Sequence, residues 1–545
     1  MAALMSAIAT KAEPLSANEQ RRIDAIFAGL QTENVPGVAV GIVRDGETVL
    51  ARYAGLADMS HKTPLGPESR FNIASNAKQY VALMTLDLAV QGQIDLDSDF
   101  RTYLPGVLPE IEQTITVTHL ITHTSGVRDI YDLWGLTGLT WYENRLRNRD
   151  AIDLLNRQTG LNFAPGSAYL YSNSNYIILA ELIAAASGED FDDYAGAFFE
   201  GLDMASTGWR GRYGEIVPNR ARAYGNYGQW FEDPAIANLF GDGFLFTTLP
   251  DQLAWEQQLQ RAGSSLSADL IAQSQSRPDA NLPGEYGYGL EVGTYRGLAR
   301  VSHVGSTGGY NAFLSRFPEH NLAIVVIGNT AEIGVVPLGN AISDALLADE
   351  FQADATFPAG PAQLQSRPAN ADVLGLYDVD SGTLIRVVER DGELFREIEG
   401  RDPVRLIHEE GNLFAYESNA DLKMAFDRDQ DGEARMRIFF PQQATLIGSR
   451  LPALTLDGNE GDQILGRYRN DETGFALSVE AVEGDVVTVR AGGNRFDGRL
   501  VAPNDIRAGN YRLRLERDET GQVDGMRLDG NRIRDVALER VDGDA

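Results

Sequence analysis

One lysine constrains this chain more than any other residue. Lysine occurs only at Lys11, Lys62, Lys78 and Lys423, and the other 43 of the 47 basic residues are arginine. Lys78 stands three residues after Ser75 in FNIASNAKQYVALM, residues 71–84. Composition alone would place roughly 0.2 S-x-x-K pairs in such a chain. Three residues on a helix make about one turn, so the two side chains share a face. A serine hydroxyl is a poor nucleophile until a neighbour takes its proton. A desolvated lysine can do so, because burial disfavours its charged form. Arginine cannot, since it keeps its proton in proteins. The spacing therefore predicts a helix over about 75–92 that buries Val81, Leu83 and Met84 and holds Ser75 at the positive end of its dipole.

Charge and composition narrow the rest. A net charge of −31 argues against a nucleic-acid partner or an anionic membrane surface. Cysteine is absent, which excludes disulfides and thiolate metal sites. The six histidines form no zinc motif; His119 and His123, four apart without an intervening carboxylate, read as structural. No metal is expected. No run of 18 apolar residues is present, so no membrane span is expected. The first residues, MAALMSAIATKAEPLSA, lack a cationic n-region. The expected compartment is the cytoplasm, or the periplasm if a signal peptide has been removed.

Taken in order, residues 17–32 have amphipathic helical spacing. Residues 35–58 read as two strands joined at Asp45-Gly46. VTHLITHTSGV, 117–127, reads as a short helix ending at Gly126, and the aromatic-rich DIYDLWGLTGLTWYENRL after it as an exposed cleft wall. Tyr171-Ser172-Asn173 lies on a loop before an apolar helix. A phenol near an ammonium can ionise and act as a base, and an amide can hold a carbonyl. GDGFLFTTLPDQLAWEQQL, 241–259, is a glycine-rich turn followed by a helix from about Pro250. Residues 285–330 read as antiparallel strands carrying His303-Val304-Gly305, and 335–349 as a helix. Glycines there let backbone approach a ligand, and bare N–H groups can supply half an oxyanion hole.

Beyond a linker at about 351–370 the pattern changes to alternating strands with Asp-Gly turns. VLGLYDVDSGTLIRVVERDGELF from Val373 repeats as ILGRYRNDETGFALSVEAVEGDVV from Ile464. Likewise DLKMAFDRDQDGEARMRI at 421 matches YRLRLERDETGQVDGMRL at 511. Each unit reads as a small antiparallel barrel.

Ser75-Asn76-Ala77-Lys78, Tyr171-Ser172-Asn173 and His303-Val304-Gly305, in that order, resemble the motifs of the penicillin-recognising serine hydrolases. HLITHTSGV and the Gly241-Asp242-Gly243 turn also look like that superfamily. H-x-G in third place, with two C-terminal barrels, is most similar to its bacterial D-aminopeptidase branch. The resemblance implies an α/β (α+β) β-lactamase/transpeptidase-like catalytic domain at 1–350, with an antiparallel sheet flanked by helices. Two small antiparallel β-barrel domains, 371–456 and 461–545, would follow. It implies that Ser75 is acylated, that Lys78 and Tyr171 share the proton transfers, and that Asn173 positions the scissile amide. The N–H groups of Ser75 and Ser306, beside Gly305, would form the oxyanion hole, with His303 in the place of a K-T-G lysine. No metal or organic cofactor is implied.

The activity implied is that of a serine peptidase or amidohydrolase acting on short peptides, D-aminopeptidase-like or a related oligopeptidase. An esterase or β-lactamase-type hydrolase with the same residues is the alternative, although the missing K-T-G counts against β-lactams. The expected partner is a small peptide, amide or ester substrate, with a homodimer left open. AGGNRFDGRL, 491–500, is the candidate for a loop reaching over the groove, and Asp497 for pairing with a substrate's ammonium terminus.

Overall fold

The structure, a computed structural model, describes residues 14–30, 32–233, 237–261, 266–351, 366–379, 383–398, 401–429, 432–439, 446–452, 454, 460–492 and 494–541. The chain divides into two compact units, Met1–Phe351 and Gln352–Ala545. Most of the expected linker, residues 352–365, lies outside the described residues.

The first unit is built on a six-stranded antiparallel sheet. Helix α1 (Ala17–Ala28) opens with a capping box in which Ser16 Oγ accepts from Glu19 N–H and Glu19 accepts from Ser16 N–H. Strands β1 (Val38–Arg44) and β2 (Glu47–Ala54) then form the hairpin read from the sequence. Its turn residues Asp45 and Gly46 both have positive φ, 50° and 75°, as a two-residue turn of matching twist requires. The sheet is completed by β3 (Glu291–Tyr295), β4 (Leu298–Thr307), β5 (Tyr310–Phe317) and β6 (Leu322–Gly328), in the order β2-β1-β6-β5-β4-β3.

Both faces of this sheet are covered, which is why β5 and β6 are buried at every position rather than at alternate ones. A Cβ on Gly41 of β1 would meet Leu253 at 2.5 Å, so that face receives the helix Leu249–Gln260. Val326, paired with Val40, points the other way, where with Phe313 it faces Gly339 of the helix Val335–Leu347.

Between the two halves of the sheet the chain builds a helical lobe. Its centre is α2 (Lys78–Val90), buried on nearly all sides from Lys78 to Leu86, as a helix apolar all round must be. The helix expected from residue 75 starts three residues late. Ser75 belongs to a 3₁₀ turn, Ala74–Ala77, because Asn72 Oδ1 accepts the Ala74 N–H at 2.9 Å and Ala74 adopts φ 48°. Side chains three apart nearly eclipse in a 3₁₀ turn, so this start aims Lys78 back at Ser75.

Two other expectations are corrected. The helix expected over 117–127 covers only Val117–Ile121, since His123 at φ 57° cannot continue it. The aromatic stretch expected to be exposed instead forms α3 (Ile130–Thr137), with Ile130, Leu133, Trp134 and Leu136 buried. Beyond a further helix, Asn148–Leu155, comes α4 (Asn173–Ser187), which packs against α2.

The second unit holds two closed eight-stranded antiparallel barrels, 375–450 and 466–541. Each closes by pairing its first strand with its last, Tyr377 opposite Arg450 and Tyr468 opposite Arg540. The sequence repeat reappears as contacts: Tyr377 O–H donates to Val373 O at 2.9 Å and Tyr468 O–H to Ile464 O at 2.8 Å. Among the described residues, no helix is long and apolar enough to cross a membrane.

Candidate active site

The site forms where the 3₁₀ turn, α4 and β4 meet. Lys78 is fully buried. Its Nζ lies 3.2 Å from Ser75 Oγ and 2.9 Å from Asn173 Oδ1, and it also donates to the Asp242 carbonyl. Two carbonyl oxygens thus engage two of its N–H bonds, and the third tetrahedral position faces the serine. The charged form donates to Ser75 Oγ, and in the neutral form that position would hold a lone pair facing the hydroxyl.

Tyr171, just before α4, lies over the lysine. Lys78 Nζ is 4.9 Å from its ring centre, within cation–π range. The ring packs on His123 with centroids 4.2 Å apart. His123 Nδ1 accepts from the Ser172 N–H at 3.2 Å, which fixes the turn carrying both Tyr171 and Asn173. The structural role read for His123 follows from these contacts.

Asn173 is held from behind by Asp129, the N-cap of α3. Asp129 Oδ2 accepts from the Asn173 backbone N–H at 2.7 Å and from Nδ2 at 2.9 Å. These bonds fix the amide so that Oδ1 faces Lys78. A second buried acid, Asp242, accepts from Tyr131 O–H at 2.5 Å. Burial pushes its carboxyl up to about 6, against the opposing pull of Lys78. Sequence reasoning noted Gly241-Asp242-Gly243 only as a turn and missed both acids and Tyr131. The available signals were the Asp at a helix start and the Asp within a glycine turn.

Strand β4 supplies the opposite wall. A Cβ on Gly305 would fall 2.2 Å from Ile73 O and 3.1 Å from Ser75 N, so only glycine lets the strand pass this close to the Ser75 turn. Thr307 and Tyr310 close a two-residue hairpin as its first hydrogen-bonded pair. By alternation, Val304 and Ser306 turn their N–H groups away from β5. Pairing with β3 ends at Ser302, so these groups line the open edge. The Ser306 N–H therefore points to that open edge, one residue after the Gly305 that passes close to Ser75 N.

His303, two residues before Gly305 and on the same face of β4, is 2 % exposed. Its Nδ1 is 2.7 Å from Val304 O and so carries the proton, leaving Nε2 to accept from Tyr286 O–H at 2.8 Å. Burial, then Lys78, pushes its pKa down to about 3. Its ring centre is 6.3 Å from that of Tyr171. Both ring nitrogens have partners within the protein.

Asp497 lies in the second unit. The loop expected at 491–500 is instead the turn and second strand of a hairpin, Val486–Ala491 with Asn494–Ala502. Gly493 lies outside the described residues. Asp497 sits on that strand and accepts from Thr488 Oγ1 at 3.0 Å. Among the described residues, no group of three or more His, Asp or Glu side chains is placed to hold a metal ion.

Comparison with known proteins agrees with this architecture. The Beta-lactamase family profile matches residues 23–348. A D-aminopeptidase of Brucella melitensis biotype 2 is 27% identical over 541 residues, covering 93% of this chain and 96% of the relative. One from Cereibacter sphaeroides is 28% identical over 466 residues, 82% of each. Among solved structures, the octameric penicillin-binding protein homologue from Pyrococcus abyssi matches with TM-score 0.55 at 20% identity, over 79% of this chain and 99% of the other. D-amino acid amidase from Ochrobactrum anthropi SV3, complexed with D-phenylalanine, matches with TM-score 0.51 at 22% identity, over 61% and 99%. The chain belongs to the Beta-lactamase family of serine hydrolases.

Proposed function

We propose that the chain hydrolyses amide bonds of short peptides through an acyl-enzyme on Ser75, in the manner of a D-aminopeptidase or a related oligopeptidase. The observation that carries this reading is the Lys78 Nζ, aimed at Ser75 Oγ with its other N–H bonds spent on Asn173 and the Asp242 carbonyl. Ser75 attacks the scissile carbonyl as Lys78 takes its proton. Tyr171, over the lysine, relays a proton to the leaving nitrogen. The N–H groups of Ser75 and Ser306 receive the developing oxyanion, and water then deacylates the serine by the reverse proton path. The near-complete coverage of the D-aminopeptidase relatives, barrels included, supports peptide amides with a free N-terminus over esters.

The test is a hydrolysis screen of short D- and L-peptides, each with free and blocked N-termini, with products located by mass spectrometry. Release of the N-terminal residue from free peptides supports the reading. Turnover confined to esters would overturn it.

A further inference from the structure

Arg210 and Arg220 sit together in the first unit without an ion-paired acid. Each guanidinium carbon lies within 6 Å of one ring centre, that of Phe246, at 5.5 Å for Arg210 and 5.8 Å for Arg220. Among the described residues neither makes an ion pair. Arg210 is 7 % exposed, its Nε has no partner, and its one hydrogen bond is a long 3.4 Å contact from Nη2 to Ala237 O. Arg220 donates once, from Nε to Tyr310 O–H at 3.1 Å. A guanidinium offers five N–H donors, so buried Arg210 is far from satisfied and Arg220 has donors to spare.

Nearby acids are committed elsewhere. Glu215 accepts from Gly211 N–H at 2.9 Å, and Glu232 pairs with Arg222 at 2.7 Å. Burial and the like charge of Arg220 both depress the Arg210 pKa. A chain with 78 acidic and 47 basic residues could readily have placed a carboxylate here. A buried guanidinium beside a second cation, with no paired carboxylate, is costly unless an anion arrives to match it.

The walls of this pair lead to the nucleophile. Phe246 follows Gly243, where a Cβ would meet Ala74 C at 3.4 Å, next to Ser75. Tyr310, in edge contact with Phe246, begins the strand paired to the Ser306 end of β4. We propose that Arg210 and Arg220 form a subsite for a carboxylate of the substrate. The planar guanidinium fork suits that group, and in a short peptide with a free N-terminus the anionic group is the C-terminal carboxylate. The enzyme thus prefers short peptides with a free C-terminus. This rests on the peptide-hydrolase reading above.

The test uses binding rather than turnover. Calorimetry on full-length Ser75→Ala protein compares D-alanylglycine with D-alanylglycinamide, which differ only in the carboxylate. The free acid should bind at least about tenfold tighter, as expected for charge-assisted hydrogen bonds. Adding Arg220→Gln, at a half-buried position, should abolish that preference, whereas Arg220→Lys should keep part of it. Arg210→Gln should act like Arg220→Gln. Equal affinity for acid and amide before any arginine is changed would overturn the proposal without relying on variants that fold. A preference that survives both glutamine substitutions would overturn it too. Labelling of Ser75 and peptide turnover in the unsubstituted enzyme report on the reaction separately, so the two readings fail independently.

Discussion

Lys78 Nζ lies 3.2 Å from Ser75 Oγ, on the inner side of a 3₁₀ turn that brings residues three apart into register. Replacing Lys78 with arginine keeps a cation and removes the group able to accept a proton. Activity should fall by about 10²–10⁴-fold, nearly as far as with alanine. Steady-state turnover of a peptide substrate checks this, and near-normal rates would leave Tyr171 as sole base.

Gly305 permits the close passage of β4 beside the nucleophile turn. In Gly305→Ala the new methyl would fall on Ile73 O and push the strand from Ser75. A displacement of about 1 Å in a catalytic wall costs on the order of 10² in rate. We expect kcat/KM to drop at least that far while the circular dichroism spectrum is retained. Unchanged kinetics would show that β4 does not supply the oxyanion hole.

His303 and Asp242 should oppose each other in the pH dependence of stability. His303 protonates near 6.5 when unfolded and near 3 when folded. Its contribution is present above about 6.5 and is lost as pH falls through that window, at about 1.4 kcal/mol per pH unit. Asp242 behaves in the opposite sense, protonating near 6 folded against 3.8 unfolded. Its contribution is full below 3.8 and is lost as pH rises through 6. In the window from 3.8 to 6 the two slopes largely cancel. Denaturant unfolding of Asp242→Asn should therefore fall off more steeply than the parent from pH 6 to 4, and His303→Gln less steeply. Three parallel curves would contradict these assignments.

The helix carrying Lys78 is tied to the sheet through Arg316, which also makes a buried ion pair with Glu256. Arg316 donates to Glu256 from Nε at 2.7 Å and from Nη2 at 2.8 Å, and Nη2 also reaches Gln79 Oε1 at 2.6 Å, next to Lys78. Glu256→Ala would strand a buried guanidinium and should destabilise the protein by about 3–5 kcal/mol. Equilibrium denaturation measures this, and a loss under ~1 kcal/mol would show that the pair relaxes into solvent.

The sequence revealed the parts of the site whose chemistry restricts residue type. Ser75 and Lys78 stood out because a lone lysine among arginines needs a reason, and Asn173 and Tyr171 because an amide and a phenol precede an apolar helix. Asp129 and Asp242 escaped notice because their contacts span 44 and 164 residues of chain. Pattern cannot report such pairings. The barrels were legible through their repeat and two-residue periodicity, but the loop expected at 491–500 is largely strand for a physical reason. Gly498 reads as a loop residue, yet it is needed within a strand, where a Cβ would meet Ala508 Cβ at 2.7 Å. Similarly, the 3₁₀ start of the nucleophile helix depends on Asn72 and the left-handed Ala74, which helix propensity does not encode.

The central claim is that Ser75 is the acylated nucleophile. The most direct measurement is peptide mapping by mass spectrometry after reaction with a fluorophosphonate, beside the peptide turnover of Ser75→Ala. The account predicts one adduct, on Ser75, and a rate loss on the order of 10⁶ in the variant. An adduct on another residue, or a Ser75→Ala protein that still turns over normally, would contradict it.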